Sequence, residues 1–435
     1  MNWEKSVVKI MVKSKEIDYA HPLNTFKTIG SSGTGFFISK NLILTCYHVV
    51  KNAIVIDILY KNTNNINGSI KYIFPDDDLA LISIDKTFED IQPLEFKVIN
   101  QRDIGDVYTV GFPLSSTNIK TTKGIISGYQ GSLIQTDASL NHGNSGGPLV
   151  INDQEKFKVI GVNVSKITDA EKTGFCVPIY RFIKSYEFIN KINPNYLTIK
   201  KPIVYFDYQK LLQNELKLMT YNEIKIPYDT EQTGIRITII NKLYYISKYL
   251  KDGDTLISIN SCPIDYNGAV KFDFYPEKIP VEDFGLWFNP GDEIKIEIID
   301  GISREFKLIS FKLEIIKTNF DEYHSVDTLS KYYVENNGLI LSIFNKQHIE
   351  NLTELNLKPS QIVKLFERNI YQRDIFTVYL SDINYDKIGK FNKYPIGEII
   401  TEMNDKQFNN KEEFLEITKD PIKKIKTIEN EIYFV

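Results

Sequence analysis

Apolar positions in the first 180 residues come in short runs rather than at helical spacing. Residues 7–12, 35–39, 42–46, 53–59, 79–84, 107–111 and 157–164 are such runs, rich in β-branched and aromatic side chains and separated by Gly, Asn, Asp, Ser and Pro. Runs of this kind suit a pleated strand with one or both faces buried, and the separating residues tolerate turn geometry. Many short strands at this spacing predict an all-β sandwich or a pair of barrels. Over residues 178–190 the period changes, with Ile179, Phe182, Ile183, Tyr186 and Ile189 falling on one helical face. A helix there closes the region, and Asn193-Pro194-Asn195 reads as a boundary.

Beyond residue 200 two stretches share an order of elements: a strand opened by Gly, a helical piece, then a strand and turn. The first contains residues 233–238 and 250–260, the second residues 337–341 and 396–404. This is a degenerate repeat with units of ordinary domain size. A chain of 435 residues is too long for one ordinary core. The expected division is residues 1–195, 200–317 and 318–435.

Composition narrows the function class. Hydrophobic residues at 42% and charged residues at 25% describe a soluble globular protein. The net charge is −4 and no basic block occurs, so no nucleic-acid partner is expected. No run of apolar residues is long enough for a membrane span. Three cysteines (Cys46, Cys176, Cys262) cannot build a disulfide framework. The opening residues lack a secretory pattern, and Glu4, Glu16 and Asp18 are unlike a transit peptide. A cytoplasmic or other soluble intracellular compartment is therefore expected. The C-terminal half holds no phosphate-binding loop, which argues against ATP-driven unfolding in cis. No cofactor and no metal is expected.

The candidate chemistry begins at Gly143-Asn144-Ser145-Gly146-Gly147-Pro148-Leu149. Peptide hydrolysis needs an activated hydroxyl, a base for its proton, a group that fixes the base, and donors for the oxyanion. Glycines around Ser145 let the backbone curl so that the amides of Gly143 and Ser145 point at one spot. A Gly-rich turn that happens to contain Ser would look the same, so a second element is needed. Leu44-Thr45-Cys46-Tyr47-His48-Val49-Val50 places His48 where an apolar strand ends in a helical turn. His21, His324 and His348 sit in polar surroundings and read as surface residues, and His142 as a loop residue near the pocket. In Pro75-Asp76-Asp77-Asp78-Leu79-Ala80-Leu81-Ile82 the apolar strand begins beside Asp78, which can be buried there to accept from the His48 Nδ1–H. A triple Asp is otherwise a solvated turn or a cation site. The chain order His, Asp, Ser is that of double-barrel serine peptidases and opposite to that of α/β-hydrolases.

Together these segments resemble the chymotrypsin-like fold, and specifically the HtrA/Deg family of ATP-independent proteases with PDZ domains. The resemblance runs through residues 33–50, 78–84, 110–113, 123–128, 135–150, 159–163 and 174–179, nearly the whole first 190 residues in order. It implies an all-β double-barrel protease domain with His48 as general base, Asp78 as orienting acid and Ser145 as nucleophile. Gly143, Asn144 and Ser145 would surround the oxyanion, with Gly143 and Ser145 giving the amides. Cys46 stands two before the base, where the family usually has Asn or Ala, and is expected to pack rather than react. Digestive trypsins carry Asp immediately before the serine, to pair with a newly cut N-terminus. Asn144 cannot supply that charge, so control by loop ordering is expected instead of activation by clipping.

The primary pocket is expected to be lined by Ser139 and Leu140 and by the strand residues Gly161, Val162 and Asn163. No acid stands among them, so small or medium aliphatic residues are the expected preference. In the C-terminal half, residues 250–260 resemble the PDZ signature, and residues 374–417 resemble the degenerate second PDZ domain of the plant-type Deg branch. This implies two α+β PDZ-like domains and assembly into a homo-oligomer acting on polypeptide substrates. The groove of the first would lie between a strand near residues 215–218 and a helix over residues 281–288. Glu215 would repel a peptide carboxylate there. Two other readings remain at this point: a PDZ-based binding or chaperone-like protein with a dormant protease domain, and a maturation protease with one defined substrate.

Overall fold

The computed structural model describes residues 3–15, 28–61, 64–99, 105–166, 173–194, 197–211, 233–240, 245–315, 333–344, 377–384, 387, 394 and 396–435. They fall into two compact units: residues 1–14, 29–240 and 248–315 in one, and 15–28, 241–247 and 316–435 in the other.

The first unit opens with a closed barrel of β1 (Val7–Lys15), β2 (Thr28–Phe37), β3 (Leu42–Cys46), β4 (Ala53–Tyr60), β5 (Asn64–Phe74) and β6 (Leu79–Ile84), in the order β1-β2-β3-β6-β5-β4. Strands β3 and β6 are apolar on both faces because one face fills the barrel and the other is covered by neighbouring structure. All five residues of β3 are buried. A one-turn helix, α1 (Tyr47–Val50), follows β3 directly.

A second ring contains β8 (Asp106–Gly111), β9 (Lys120–Gln130), β10 (Leu133–Thr136), β11 (Pro148–Asp153), β12 (Lys156–Lys166) and β13 (Gly174–Pro178). The order is β11-β8-β9-β10-β13-β12, and β11 also pairs with β12, so this sheet closes too. A two-residue strand, β7 (Glu95–Phe96), adds in parallel to β12. The fold class is therefore the expected chymotrypsin-like double barrel.

Helix α2 (Ile179–Ile192) starts as β13 ends at Pro178, whose ring presets φ for the turn. It stops at Asn193, which takes a left-handed φ of 44° and returns its N–H to the Ile189 carbonyl at 2.8 Å. Phe182 on its inner face meets Phe74 and Phe96 edge to face. It thereby joins strands of both rings into one core.

In the same unit a mixed-length sheet follows, ordered Phe206–Lys210, Ile235–Ile240, Thr255–Ile259, Glu293–Ile299 and Phe306–Lys312. The helix expected over residues 281–288 is a 3-10 helix, Val281–Trp287. Its Trp287 and Asp283 are both within hydrogen-bond reach of Ser132 on the second barrel, so this face is committed to packing. The strand expected near residues 215–218, with Glu215, lies outside the described residues.

The second unit holds a sheet of Tyr333–Asn336, Leu339–Ile343, Val378–Ile383, Ile399–Met403, Lys424–Thr427 and Ile432–Phe434, with a helix at Lys411–Ile417. Asn410 caps that helix through Oδ1, which accepts from the Glu413 N–H at 2.8 Å, and Glu413 accepts in return from Asn409 N–H at 2.7 Å. The helix lays Phe414 and Ile417 on the core formed by Leu339, Leu341, Leu380 and Met403.

Candidate active site

His48 is placed by the end of β3. There the chain turns into α1, and the Tyr47 N–H donates to the Asp78 carbonyl at 2.9 Å. The Asp78 carboxylate does two things: Oδ1 accepts from the His48 backbone N–H at 2.9 Å, and Oδ2 lies 2.6 Å from His48 Nδ1. A carboxylate only accepts, so Nδ1 carries the proton of this contact and Nε2 is the ring nitrogen left for another partner. Asp78 reaches this position with a left-handed φ of 51°.

The three consecutive acids divide their work. Asp76 accepts the Lys201 N–H at 2.7 Å, and Asp77 takes Arg181 Nε at 2.6 Å. Asp77 is the buried one of the three, whereas the Asp78 side chain is 37% exposed and that of His48 is 44% exposed. The sequence expectation of a buried orienting acid is corrected accordingly. What is buried is the carboxylate of Asp77, while Asp76 and Asp78 stay partly exposed on the turn.

Ser145 sits on the connection between β10 and β11. Gly143 and Gly146 on either side take φ of +96° and +82°, values that a side chain makes costly. The carbonyls beside the two expected oxyanion donors are both held. His142 O accepts from Leu114 N–H at 2.6 Å, and Asn144 O from Gly147 N–H at 2.9 Å. In a trans peptide the N–H points opposite its C=O. The amides of Gly143 and Ser145 are thus turned away from those partners, and neither has an acceptor among the described residues. The Asn144 N–H is used by Asn141 O at 2.9 Å, so Asn144 supplies loop shape and not a free donor.

The Ser145 hydroxyl donates to the Val164 carbonyl at 3.3 Å. No hydrogen bond joins it to the His48 ring among the described residues. Val164 thus belongs to the site, although its sequence signal is that of any strand residue.

The expected pocket residues are distributed differently from the prediction. Ser139 is exposed, while Leu140 is buried in the core of the second barrel. Gly161, Val162 and Asn163 are buried in β12. Asn163 instead holds the serine loop: its carbonyl accepts from Gly146 N–H at 2.8 Å and its N–H donates to Gly147 O at 2.9 Å. An open cavity of about 590 Å³ lies nearby, lined by Asp76, Asp77, Asp78, Val164, Phe175 and Asp283 among others. His142 is exposed, and His21, His324 and His348 lie outside the described residues.

Cys46 is buried, and its thiol donates to Asn163 O at 3.1 Å. Burial, and then the nearby Asp78 charge, push its pKa well up, so it is not poised as a thiolate.

A trypsin-like peptidase domain matches residues 33–162. Among named proteins, the Arabidopsis thaliana protein called protease Do-like 3, mitochondrial, is 29% identical over 282 residues, which is 61% of this chain and 48% of that protein. Protease Do-like 4, mitochondrial, from the same plant, is 28% identical over 346 residues, 76% of this chain and 62% of its own length. This chain thus spans between about half and less than two thirds of these relatives. An AlgW variant, an HtrA-type protease solved with a decapeptide, superposes with a TM-score of 0.52 at 18% identity, over 73% of this chain and 96% of that one. That likeness is one of fold.

The relatives correct the expected compartment. Both are named as mitochondrial, which overturns the cytoplasmic expectation. The acids near the start of the chain are a poor guide to location. Among the described residues no helix is long and apolar enough to cross a membrane. The double barrel, the matched peptidase domain and the Do-like relatives agree: the chain carries a trypsin-like peptidase domain and is similar to the Do-like proteases.

Proposed function

We propose that this protein is an ATP-independent serine endopeptidase acting on misfolded or exposed polypeptides. Ser145 is its nucleophile, His48 its base and Asp78 the group that orients the base. The observation that carries this reading is the Asp78 carboxylate spanning the backbone N–H and Nδ1 of His48, which leaves Nε2 as the basic atom. In the reaction, Ser145 Oγ leaves the Val164 carbonyl, gives its proton to His48 Nε2 and bonds to the scissile carbonyl carbon. The N–H groups of Gly143 and Ser145 receive the oxyanion. Collapse expels the amine, which takes the proton from Nε2. Water then repeats the sequence on the acyl-enzyme and frees Ser145.

Residues 200–317 and 318–435 act in this reading as PDZ-type modules that assemble homo-oligomers, with loop ordering as the control. A binding protein with a dormant protease domain is the second reading. It draws on one observation, the Ser145 hydroxyl resting on Val164 instead of the His48 ring.

A fluorophosphonate probe on the full chain, with Ser145→Ala as control, separates the two. Labelling that Ser145→Ala abolishes, together with casein cleavage, supports the peptidase. Intact casein and no labelling support the binding protein. Cleavage of one defined partner while casein stays intact points to a maturation protease.

A further inference from the structure

We infer that Thr34 is a positioning residue that registers the serine loop of the second barrel against the histidine strand of the first. The inference rests on the reading of Ser145 as nucleophile. Thr34 lies on β2 and is fully buried. Each of its polar groups is committed to the site. Its N–H donates to Ser145 O at 2.9 Å. Its hydroxyl donates to Gly143 O at 2.6 Å and accepts from Phe112 N–H at 3.0 Å. Its carbonyl accepts from Thr45 Oγ1 at 2.7 Å, three residues before His48.

These bonds act on the atoms that have to be aligned. The hydroxyl fixes the Gly143 carbonyl, hence the plane that follows the Gly143 amide. Through Phe112 it also holds the turn from which Leu114 N–H reaches His142 O and so orients the preceding plane. Leu114 keeps a left-handed φ of 53° while the residue is 74% exposed. A strained conformation of that kind persists where surrounding bonds impose it.

The glycines of the site make room for the same residue. A side chain at Gly111 would approach both Thr34 Oγ1 and Asn144 Oδ1 to 2.8 Å. A side chain at Gly146 would collide with the Thr34 carbonyl and Thr45 Oγ1. A methyl in place of the hydroxyl would leave a buried carbonyl and a buried N–H without partners, and the loop would relax to satisfy them. Serine keeps the hydroxyl and loses only a methyl contact.

The test follows the kinetics of fluorophosphonate labelling in the full-length protein and in Thr34→Val, Thr34→Ala and Thr34→Ser, with thermal midpoints for each. The expected result for Val and Ala, below their midpoints, is a maximal labelling rate lowered roughly 10–100-fold, while the half-saturating probe concentration stays within about threefold. Serine is expected to restore the rate to within about threefold of the parent. Folded Val or Ala variants that label as fast as the parent overturn the inference alone. So does a Ser variant as impaired as Val, because that pattern belongs to packing. A parent protein that does not label at all overturns the peptidase reading, and the inference with it.

Discussion

Arg181 Nε donates to Asp77 Oδ1 at 2.6 Å, and both side chains are almost fully buried, one residue ahead of Asp78 in the chain. The guanidinium also reaches the Asp76 carbonyl at 3.2 Å, and Lys201 Nζ stands 3.9 Å from Asp77 Oδ2. Burial pushes the Lys201 ammonium towards the neutral form, and the Asp77 charge opposes this. Removing the guanidinium leaves a carboxylate in the interior without its main partner. Arg181→Met is therefore expected to cost about 3–5 kcal/mol in urea unfolding. The double variant Asp77→Asn with Arg181→Met is expected to recover part of that loss. A single variant as stable as the parent would show that Lys201 suffices.

In the proposed triad Asp78 orients His48, and with its side chain over a third exposed it is expected to matter less to the fold. Asp78→Asn retains the shape but presents an amide N–H or a weaker acceptor to Nδ1, and the imidazole can then carry its proton on Nε2. Labelling of Ser145 is expected to slow by about 10³–10⁴-fold, with the thermal midpoint moved by a few degrees at most. An unchanged rate would remove Asp78 from its assigned role.

Much of this site was legible in the sequence because its parts lie on strongly apolar strands. Strands β3 and β6 are largely apolar runs; β3 ends two residues before His48 and β6 begins at the residue after Asp78, so the runs themselves point to both residues. Strands β5 and β9 were not legible. Lys120–Gln130 is built of Lys, Thr, Gly and Ser with a few Ile, and none of its residues is fully buried, so no hydrophobic period marks it. The burial of the expected pocket strand was not legible for a related reason. The strand holding Gly161, Val162 and Asn163 can be found from its apolar content, but burial on both faces is not encoded in a period of two. Thr34 gave no signal at all, because its importance lies in partners 78 and 109 residues away.

The buried thiols set an alkaline limit on stability. Cys46 and Cys176 both have pKa values pushed up by burial, so the folded state keeps protons that the unfolded chain releases first. Their contribution is fully present below the unfolded thiol value of about 8.5 and is lost as pH rises above it. Between about pH 8.5 and 10 the slope is expected to approach 1.4 kcal/mol per pH unit for each thiol. A Cys46→Ala, Cys176→Ala protein starts from lower stability and is expected to lose less of it over that window. Equal slopes in urea titrations would count against the account. In the folded protein, iodoacetamide is expected to reach the half-buried Cys262 first.

Trp287 ties the first C-terminal sheet to the second barrel. Its Nε1–H donates to Ser132 Oγ at 3.0 Å, and the same hydroxyl donates to Asp283 Oδ2 at 2.8 Å. The ring lies 4.3 Å from that of Tyr275 and takes the Arg181 guanidinium at 6.0 Å, while Tyr180 stacks on Phe274 at 4.9 Å. Most of this contact is apolar area, with one hydrogen-bonded relay inside it. Trp287→Ala removes both and is expected to cost about 3–5 kcal/mol. Trp287→Phe keeps most of the area and leaves Ser132 its bond to Asp283, so its cost is expected near 1 kcal/mol. If Trp287 couples the two parts, calorimetry of the Ala variant will resolve a separate, lower transition for the sheet, and hydrogen exchange will quicken at Ile294, Ile296 and Ile298 before it does in β12. A single transition displaced as a whole would mean that the remaining aromatic contacts are sufficient to hold sheet and barrel as one cooperative body.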